Sequence, residues 1–472
     1  MKKKVLISIL ILLILIPINV CAESSSNLNA VFKYGQDNQK KLDNTPEIGC
    51  EAAYLAEPTT GKVIYEKNAH KKMYPASTTK ILTALLAIEK CNINDTVIVS
   101  QNAIDLVPDG YSNANILAGE KLTIKDLLYA LLLPSANEAA NVLAEHISGS
   151  VEAFAELCNK RAKELGCEML HFVNPNGIHD ENHYCSAYDL YLIAKECRKY
   201  EIFNEIVKSK TYTLPSTAIY NGIRTLETTN ELLLPGTYYC SYCTGIKTGH
   251  TTPAGECLIA SSSYNNIDLI SVVLGGKQSN SIGLNDRFYD TKKLFEFTYN
   301  NYSIKKIAEY GNSVATIKVG KATKETSMLD IIVDSNISTI VPNEFDKENV
   351  PADISINEDI VAPIEQNQVL GQIAYYVDGL VYTTNIIASH PVEKLPYAKY
   401  NIIVSISLIM IFAVFAIALI ISKKHKKAIW VIEIIIFIGV CVVVFLFVKN
   451  DLSNSKTVVT SIKHEEKLNE KR

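Results

Sequence analysis

Three long apolar runs near the two ends of the chain limit the part of it that can form a water-soluble fold. The first run, residues 5–16, follows three lysines, and the other two are residues 402–421 and 428–448. Each of the last two is close to the ~20 residues that a helix needs to cross a bilayer. Neither shows an amphipathic stripe, so we expect two transmembrane helices. The globular part of the chain is therefore expected between these runs, over residues 49–395.

The start of the chain is typical of a secretory signal, with a basic segment before the apolar run. Val20, Cys21 and Ala22 are small or modest in size, which suits cleavage after Ala22. This predicts a signal peptide over residues 1–22. An uncleaved anchor and lipidation of Cys21 stay open as alternatives, and all three export the rest of the chain. Four lysines within residues 423–427 favour a cytoplasmic loop between the two C-terminal helices. We therefore expect an extracytoplasmic body at the cell membrane and a charged tail over residues 449–472.

Composition excludes few classes of protein but argues against a nucleic-acid partner. The chain has 472 residues, of which 46 are basic and 50 are acidic, with a formal net charge of -4. Such a balance gives no general attraction for a polyanion. The length allows two or three domains.

The cysteines leave several interpretations open. Nine of the eleven lie in the exported part, so at least one is unpaired or pairs between chains: Cys50, Cys91, Cys158, Cys167, Cys185, Cys197, Cys240, Cys243 and Cys257. Cys240, Cys243 and Cys257 could bind a metal through thiolates, although no clear fourth ligand follows them. The other interpretation is a set of free, mostly buried thiols.

The middle of the chain changes from a polar segment to a mixed α and β pattern. Residues 23–48 are polar and without period, which predicts a linker. Residues 52–56 and 62–65 predict strands joined by the turn at 58–61. Apolar residues at positions 81, 82, 85, 86 and 88 predict a helix over residues 77–90.

Further elements predict an α+β catalytic domain over residues 49–300, followed by a small all-β domain over 301–395. Thr123 and Asp126 are spaced as a capping box at the start of a helix over 123–133. Other predicted helices begin near Glu138, follow the cap at Ser150, and cover 286–297. Predicted strands cover residues 244–251, 257–262 and 269–274, and the last two form a hairpin around Asn265-Asn266. Short Val-, Ile- and Thr-rich runs without a helix pattern mark the second domain.

The first motif with chemistry is Ser77-Thr78-Thr79-Lys80 at a helix start. Residues three apart share a helix face, so the Lys80 ammonium can reach the Ser77 hydroxyl. A serine hydroxyl is a weak nucleophile until a base removes its proton. Burial and a second nearby cation would lower the pKa of Lys80 and make it such a base. The helix N-terminus also offers a backbone N–H for an oxyanion.

Two further motifs complete a constellation. Ser135-Ala136-Asn137 follows Pro134 in a break between helices, where Ser135 can relay a proton and Asn137 can hold a substrate amide. Lys247-Thr248-Gly249-His250-Thr251 lies on a predicted strand, and an edge strand can pair with an extended peptide. Gly249 allows close approach of that peptide, and Lys247 supplies the second cation. Each motif is weak alone, but their order and placement together are specific.

The chain resembles the low-molecular-weight penicillin-binding proteins, the serine D-Ala-D-Ala carboxypeptidases of the peptidase S11 type. The resemblance covers about residues 49–395 and rests on five segments: 74–83, 132–140, 174–178, 229–233 and 245–251. It implies a β-lactamase/transpeptidase-like catalytic domain, an antiparallel sheet flanked by helices. The family tolerates Ala136 in the middle motif. One departure is the C-terminus, since the family usually has a single anchor rather than two crossings and a charged tail.

The resemblance also implies roles for individual residues. Ser77 would be the acylated nucleophile and Lys80 its base, while Ser135, Asn137 and Lys247 would complete the proton and substrate network. Backbone N–H groups of Ser77 and His250 would form the oxyanion hole. The remaining substrate-binding residues would be Thr248, Gly249, Thr251 and Arg287, with Thr248 and Arg287 as candidates for the terminal carboxylate. The implied partners are a peptidoglycan stem peptide ending in D-Ala-D-Ala, β-lactam antibiotics and the membrane, and neither a metal nor another cofactor is implied.

The same residues leave three other functions as alternatives. A class A β-lactamase needs a glutamate aimed at a hydrolytic water, and residues 171–184 offer only Glu181. A metallopeptidase would use His179 and His183, four residues apart, but Asp180 stands where such a site needs a glutamate. A non-catalytic wall scaffold or antibiotic sensor would not need the full set of catalytic side chains, and the tail is too short and polar for an output domain.

Overall fold

The computed structural model describes residues 31–34, 44–347, 350–357, 360–396 and 457–462, together with positions 413 and 439. Over these residues no helix is both long enough and apolar enough to span a bilayer. The predicted signal peptide and the predicted membrane helices at 402–421 and 428–448 lie outside the described residues, apart from those two single positions. The chain divides into two compact units, the first containing residues 44–305 and 339–345.

The strands and helices follow the chain in a fixed order. The strands are β1 (Val31–Tyr34), β2 (Ala52–Ala56), β3 (Val63–Lys67), β4 (Thr96–Ile98), β5 (Lys121–Thr123), β6 (Thr211–Leu214), β7 (Arg224–Glu227), β8 (Cys243–Thr251), β9 (Gly255–Tyr264), β10 (Ile267–Gly276), β11 (Tyr302–Ala308), β12 (Ser313–Lys318), β13 (Met328–Val333), β14 (Ile337–Pro342), β15 (Ala352–Ile356), β16 (Val369–Val377), β17 (Leu380–Ala388) and β18 (Val458–Ile462). The α-helices are α1 (Lys80–Lys90), α2 (Gln101–Asp105), α3 (Ile124–Leu132), α4 (Asn137–Ser148), α5 (Val151–Glu164), α6 (Ala187–Cys197), α7 (Glu201–Lys208) and α8 (Asp286–Asn301). Short 3-10 helices cover Ala76–Thr79 and Glu231–Leu233.

A five-stranded antiparallel sheet with the order β3-β2-β10-β9-β8 forms the centre of the first unit. Successive side chains of a strand point to opposite faces. Ala52 and Tyr54 accordingly join the larger core with helices α1, α3, α4 and α6, whereas Ala53 and Leu55 join a second core with α8. Helices therefore cover both faces of the sheet. Strand β8 lies at one edge of the sheet, next to the residues that precede α1.

Local sequence signals account for most of the elements in this unit. Thr123 and Asp126 form the predicted capping box, and the Ser150 hydroxyl accepts the Ala153 N–H at the start of α5. The predicted hairpin is also confirmed, with positive φ angles at Asn265 and Asn266. Asparagine tolerates this left-handed conformation better than most residues do, which explains the tight turn.

The second unit contains a seven-stranded sheet with the order β1-β15-β16-β17-β13-β12-β18. Two of its strands correct the sequence prediction. Residues 31–34, predicted within the linker 23–48, pair with β15, and residues 458–462 of the predicted charged tail pair with β12. Both segments are short β-branched or aromatic runs whose pairing partners are far away in sequence, so no local period reveals them.

One short stretch inside the range predicted for the second domain groups with the first unit. Residues 339–345 lie in the first unit, where Ile340 belongs to the core on the α8 side. Asn343 donates its backbone N–H to the Asn301 carbonyl at 2.9 Å, and Lys305 Nζ donates to the Asn343 carbonyl at 2.6 Å. A Val- and Ile-rich run is typical of a strand in either unit. The sequence of this run therefore could not indicate which unit it joins.

Candidate active site

The Ser77 hydroxyl lies in a tight turn directly before the central helix α1. Helix α1 begins at Lys80, and the predicted helix over 77–90 opens as the 3-10 helix Ala76–Thr79. The hydroxyls of Thr78 and Thr79 donate to the Pro75 and Ala76 carbonyls at 2.7 and 2.8 Å. Ala76 has a φ of 49°, a left-handed conformation that is strained for a non-glycine residue. The turn is therefore fixed by its own side chains and by its surroundings.

Two glycines allow backbone segments to pack against this turn. A Cβ on Gly177 would lie 1.9 Å from the Ala76 carbonyl oxygen, and Gly177 also has a φ of 81°. A Cβ on Gly249 would lie 3.0 Å from the Ser77 backbone nitrogen. The loop at 174–177 and the edge strand β8 thus contact the Ser77 turn, and only small residues permit this approach.

Lys80 connects three parts of the site. Its Nζ lies 2.9 Å from Ser77 Oγ, 2.8 Å from Asn137 Oδ1 and 2.5 Å from the Asn176 carbonyl oxygen. The residue is 0% exposed. Burial, followed by repulsion from the Lys247 ammonium, holds the pKa of Lys80 well below its usual value, although Glu138 opposes the shift. A lower pKa favours the neutral amine, which is the form of lysine that can accept a proton.

The middle motif lies where α3 and α4 meet. Ser135 has a φ of 69°, and α4 begins at Asn137. Asn137 uses its Oδ1 for Lys80 and donates its Nδ2 to the Ser112 carbonyl at 2.8 Å. The Ser135 hydroxyl is buried and has no hydrogen-bond partner among the described residues. A buried hydroxyl without a partner is unusual in a native structure, and a catalytic role is one explanation for it.

Lys247 extends from edge strand β8 and is 1% exposed. Burial and the Arg287 guanidinium lower the pKa of Lys247 to about 7. Its Nζ donates to the Thr248 carbonyl at 3.0 Å. The Thr248 hydroxyl lies 2.5 Å from the hydroxyl of Thr229. These groups form the β8 side of the site.

Two of the expected substrate-binding residues are engaged within the protein. Arg287 Nη1 lies 2.6 Å from Glu256 Oε2 and donates to the Gly249 carbonyl at 3.2 Å. The Thr251 hydroxyl accepts the Ala254 N–H at 3.2 Å, within the turn that follows β8. Glu256 was not identified from the sequence, and its position opposite His250 on β9 depends on strand register.

Other residues support the site from behind, and their roles were missed as well. His183 Nδ1 accepts the Val173 N–H at 3.1 Å, and its Nε2 lies 2.8 Å from Thr79 Oγ1. Burial lowers the pKa of His183 to about 3, so the ring is neutral and braces the Ser77 turn. Asn176 donates its Nδ2 to Asn141 Oδ1 at 3.0 Å. The sequence feature that could have indicated this loop is the motif Asn174-Pro175-Asn176-Gly177. The Asn176 group that contacts Lys80 is a backbone carbonyl, however, and every residue type has one.

The structure also bears on the alternative functions. His179 and His183 lie in a non-helical segment, so they do not share a helix face as a metallopeptidase pair would. Glu181 is exposed in a turn of the same segment. The nine cysteines within the described ranges are free thiols, seven of them buried. In those ranges no three His, Cys, Asp or Glu side chains group as a metal site.

The fold and the site define a serine acyl-transfer enzyme in which a buried lysine, rather than a histidine, contacts the nucleophile. The family model of D-alanyl-D-alanine carboxypeptidase, Peptidase_S11, matches residues 39–278, and that of the penicillin-binding protein 5 C-terminal domain matches residues 302–394. The chain belongs to the peptidase S11 family of serine-type D-alanyl-D-alanine carboxypeptidases. This confirms the resemblance and the carboxypeptidase function predicted from the sequence, and members of the family bind D-Ala-D-Ala substrates and β-lactams.

Individual relatives agree with this assignment. The chain is 34% identical over 355 residues to D-alanyl-D-alanine carboxypeptidase DacF of Bacillus subtilis, which covers 73% of this chain and 86% of the relative. Penicillin binding protein 5 from Haemophilus influenzae is similar with a TM-score of 0.57 and 26% identity, over 74% of this chain and 99% of that one. A peptidoglycan synthesis regulatory factor (PBP3) from Streptococcus pneumoniae has a TM-score of 0.58 and 25% identity, over 74% and 100% of the two chains.

Proposed function

We propose that the enzyme removes the terminal D-alanine from peptidoglycan stem pentapeptides through an acyl-enzyme on Ser77. The observation that carries the proposal is the 2.9 Å contact between Ser77 Oγ and the fully buried Nζ of Lys80. Because burial and Lys247 lower the pKa of Lys80, its neutral amine can take the hydroxyl proton as Ser77 attacks the scissile carbonyl.

The acylation step then needs a proton for the leaving group and donors for the oxyanion. The Ser135 hydroxyl passes the proton from Lys80 to the nitrogen of the departing D-alanine. Backbone N–H groups of Ser77 and His250 stabilise the negative oxygen of the tetrahedral intermediate. Collapse of that intermediate breaks the peptide bond and leaves the tetrapeptide as an ester on Ser77. A water molecule hydrolyses the ester by the same proton path, which restores the Ser77 hydroxyl.

Edge strand β8 is the proposed binding surface for the substrate. Its free edge can pair with an extended peptide, and Gly249 keeps the strand close to Ser77. Asn137 and Thr248 line the same proposed substrate-binding surface. A β-lactam carbonyl in the position of the scissile bond acylates Ser77 in the same way. The lactam C–N bond breaks and the four-membered ring opens, but the leaving nitrogen stays tethered to the acyl group.

The test combines penicillin labelling with peptide hydrolysis. Intact-protein mass spectrometry after incubation with penicillin should show one adduct, and peptide mapping should place it on Ser77. Ser77→Ala should lose both the adduct and D-alanine release, whereas Ser209→Ala, at a partly exposed serine outside the site, should keep both. Wild-type D-alanine release by the Ser77→Ala enzyme would refute the mechanism.

We also propose that the catalytic domain lies outside the cell and that the chain crosses the membrane twice. The pairing of β18 with β12 supports this, because residues on either side of the apolar runs at 402–421 and 428–448 then share one compartment. An even number of crossings satisfies that condition, and the lysines at 423–427 favour a cytoplasmic loop between them. In protoplasts, external protease should remove an epitope placed after Arg472, and an inserted epitope next to Lys424 should stay protected. Protection of the first epitope contradicts the topology.

A further inference from the structure

The two segments that join the second unit to the apolar runs near the C-terminus meet at one loop of that unit. The Leu395 N–H donates to the Lys321 carbonyl at 2.9 Å, shortly before the first run. The Gly320 N–H donates to Thr457 Oγ1 at 2.8 Å, shortly after the second run. Since Gly320 and Lys321 are neighbours, the chain leaves the second unit and returns to it at the same place.

Both connections to the apolar runs are short. Leu395 lies seven residues before the first run, and Thr457 lies nine residues after the second. An extended chain spans at most about 3.6 Å per residue, so the two connections reach at most about 25 and 32 Å. If the runs cross the bilayer, the loop is held close to the headgroup layer, which covers each side of the hydrocarbon core to a depth of about 5–8 Å.

The strands beside this loop expose apolar side chains. Lys318 at the end of β12 pairs with Met328 on one side and with Val458 on the other. Directly opposite residues of neighbouring strands share a face of the sheet, so these three side chains form one row. Met328 is 47% exposed and Val458 is 54% exposed. Val361, which pairs with Gly320, is 37% exposed.

Lysines outnumber acidic residues around the same loop. The segments 318–328, 391–396 and 457–458 contain four lysines and two glutamates, namely Lys318, Lys321, Lys324, Lys394, Glu325 and Glu393. The first three of these lysines have exposed side chains. The term exit surface is used below for the exposed side chains of Lys318, Lys321, Lys324, Met328, Val361 and Val458.

We propose that the exit surface binds lipid and lies on the outer headgroups of the membrane. This rests on the membrane crossing proposed above, because the crossing brings both connections to the bilayer. A surface that combines lysines with exposed apolar side chains suits the boundary of an anionic bilayer, where the ammonium groups meet phosphates and the apolar groups meet the acyl chains. Strand β18 contributes Val458 to this surface and, through Thr457, ties the second connection to the loop. The second unit is thus fixed to the membrane at two points.

The experiment compares a tryptophan at the exit surface with one at the far end of the same sheet. The chain has a single tryptophan, Trp430, which Trp430→Phe removes. In that background Met328→Trp reports on the exit surface, and Val381→Trp, at a side chain that is 56% exposed, is the matched control. Val333 pairs with Ile386, so Val381 lies about ten residues along the strands from Met328, or about 33 Å.

The measurement is quenching of tryptophan fluorescence by brominated lipid. Each full-length variant is placed as a single molecule in nanodiscs of phosphatidylglycerol and phosphatidylcholine, with or without bromine on the acyl chains. Met328→Trp should lose fluorescence in the brominated nanodiscs, whereas Val381→Trp should keep it. One molecule per nanodisc removes contact between two copies as a cause of the difference.

A second set of variants tests the lysines. In the Met328→Trp protein, Lys321→Gln with Lys324→Gln should reduce the quenching to the level found in nanodiscs of pure phosphatidylcholine, because the attraction to anionic headgroups is lost. Lys306→Gln with Lys347→Gln removes the same charge at the opposite end of β13 and should leave the quenching unchanged.

The outcomes separate this proposal from the crossing on which it rests. Trp430 of the wild type belongs to the second apolar run, and an absence of quenching there would overturn the crossing and this proposal together. Quenching of Trp430 without quenching of Met328→Trp would leave the crossing intact and refute the exit surface. Equal quenching at positions 328 and 381 would refute it as well. Quenching at position 328 that does not respond to the loss of Lys321 and Lys324 would contradict the binding of anionic headgroups.

Discussion

The carbonyl oxygen of Ala76 lies 1.9 Å from the place that a Cβ on Gly177 would occupy. The residue before the nucleophile therefore rests directly on a glycine from a loop about a hundred residues further along the chain. Ala76 itself has a left-handed φ of 49°. Strained conformations of this kind persist only where the surroundings hold them, and here Gly177 is part of those surroundings.

Gly177→Ala should disrupt this contact. We expect a loss of stability of at least about 2 kcal/mol, from overlap with Ala76 and a left-handed φ, together with a large loss of penicillin acylation. Denaturant unfolding and acylation kinetics measure the two effects. Gly149→Ala is a matched control, because Gly149 has the same φ of 81° but no atom within 4 Å of the added Cβ. It should cost only about 1–2 kcal/mol and leave acylation intact, and equal effects of the two substitutions would contradict the explanation.

The proximity of two lysines predicts the pH dependence of acylation. Repulsion from the Lys247 ammonium helps to lower the pKa of Lys80, so removing Lys247 should raise that pKa again. In Lys247→Ala the acid limb of the acylation profile should therefore move to higher pH, and the rate near pH 7 should fall by about a hundredfold or more. Acylation by penicillin between about pH 5 and pH 10 checks this. Lys71→Ala, at an exposed ion pair, should not move the limb, and an unmoved limb in Lys247→Ala would contradict the role of the second cation.

Lys247 should also reduce stability in a pH-dependent way. The folded-state pKa, about 7, lies below the ordinary value of 10.5, so the unfolded chain binds more protons between these values. The free energy of unfolding of the wild type should rise as pH increases from about 7 to about 10. Below about pH 7 the full destabilising effect of the buried Lys247 charge is present. Lys247→Met should therefore raise Tm by several degrees at pH 7 and by less at pH 10, while activity is lost. A gain in Tm that does not depend on pH would contradict this account.

A buried ion pair joins the start of strand β7 to the residue directly before strand β5. Arg224 and Glu120 are 2.6 Å apart with side chains only 5% and 0% exposed, and Arg224 also donates to the Asn115 carbonyl. Glu120→Gln should destabilise the protein by about 3 kcal/mol or more, because it leaves a buried cation without a counter-charge. Denaturant unfolding measures the loss. The exposed pair between Lys71 and Glu51 is the comparison, and Glu51→Gln should cost less than about 1 kcal/mol.

Local order in the first unit was largely predictable from the sequence. The capping box at Thr123 and the turn at Asn265-Asn266 depend on residues close together in the chain, so their spacing reveals them. The same holds for Ser77 and Lys80, which lie within one turn. Strands β1 and β18 were missed because each is defined by a distant partner, β15 or β12, and a short apolar run alone does not specify pairing.

By itself the sequence predicted the side chains that carry the chemistry: two serines, two lysines and an asparagine in an order that indicates acyl transfer. Only the tertiary structure decided how they act. Burial lowers the pKa of Lys80, as its proposed role as a base requires, and burial is a property of the packed core rather than of the motif. The carbonyl of Asn176 binds Lys80, but every residue has a carbonyl, so no pattern could identify it. Strand register placed Glu256 between Arg287 and His250, because a shift of one residue would turn its carboxylate to the other face of the sheet.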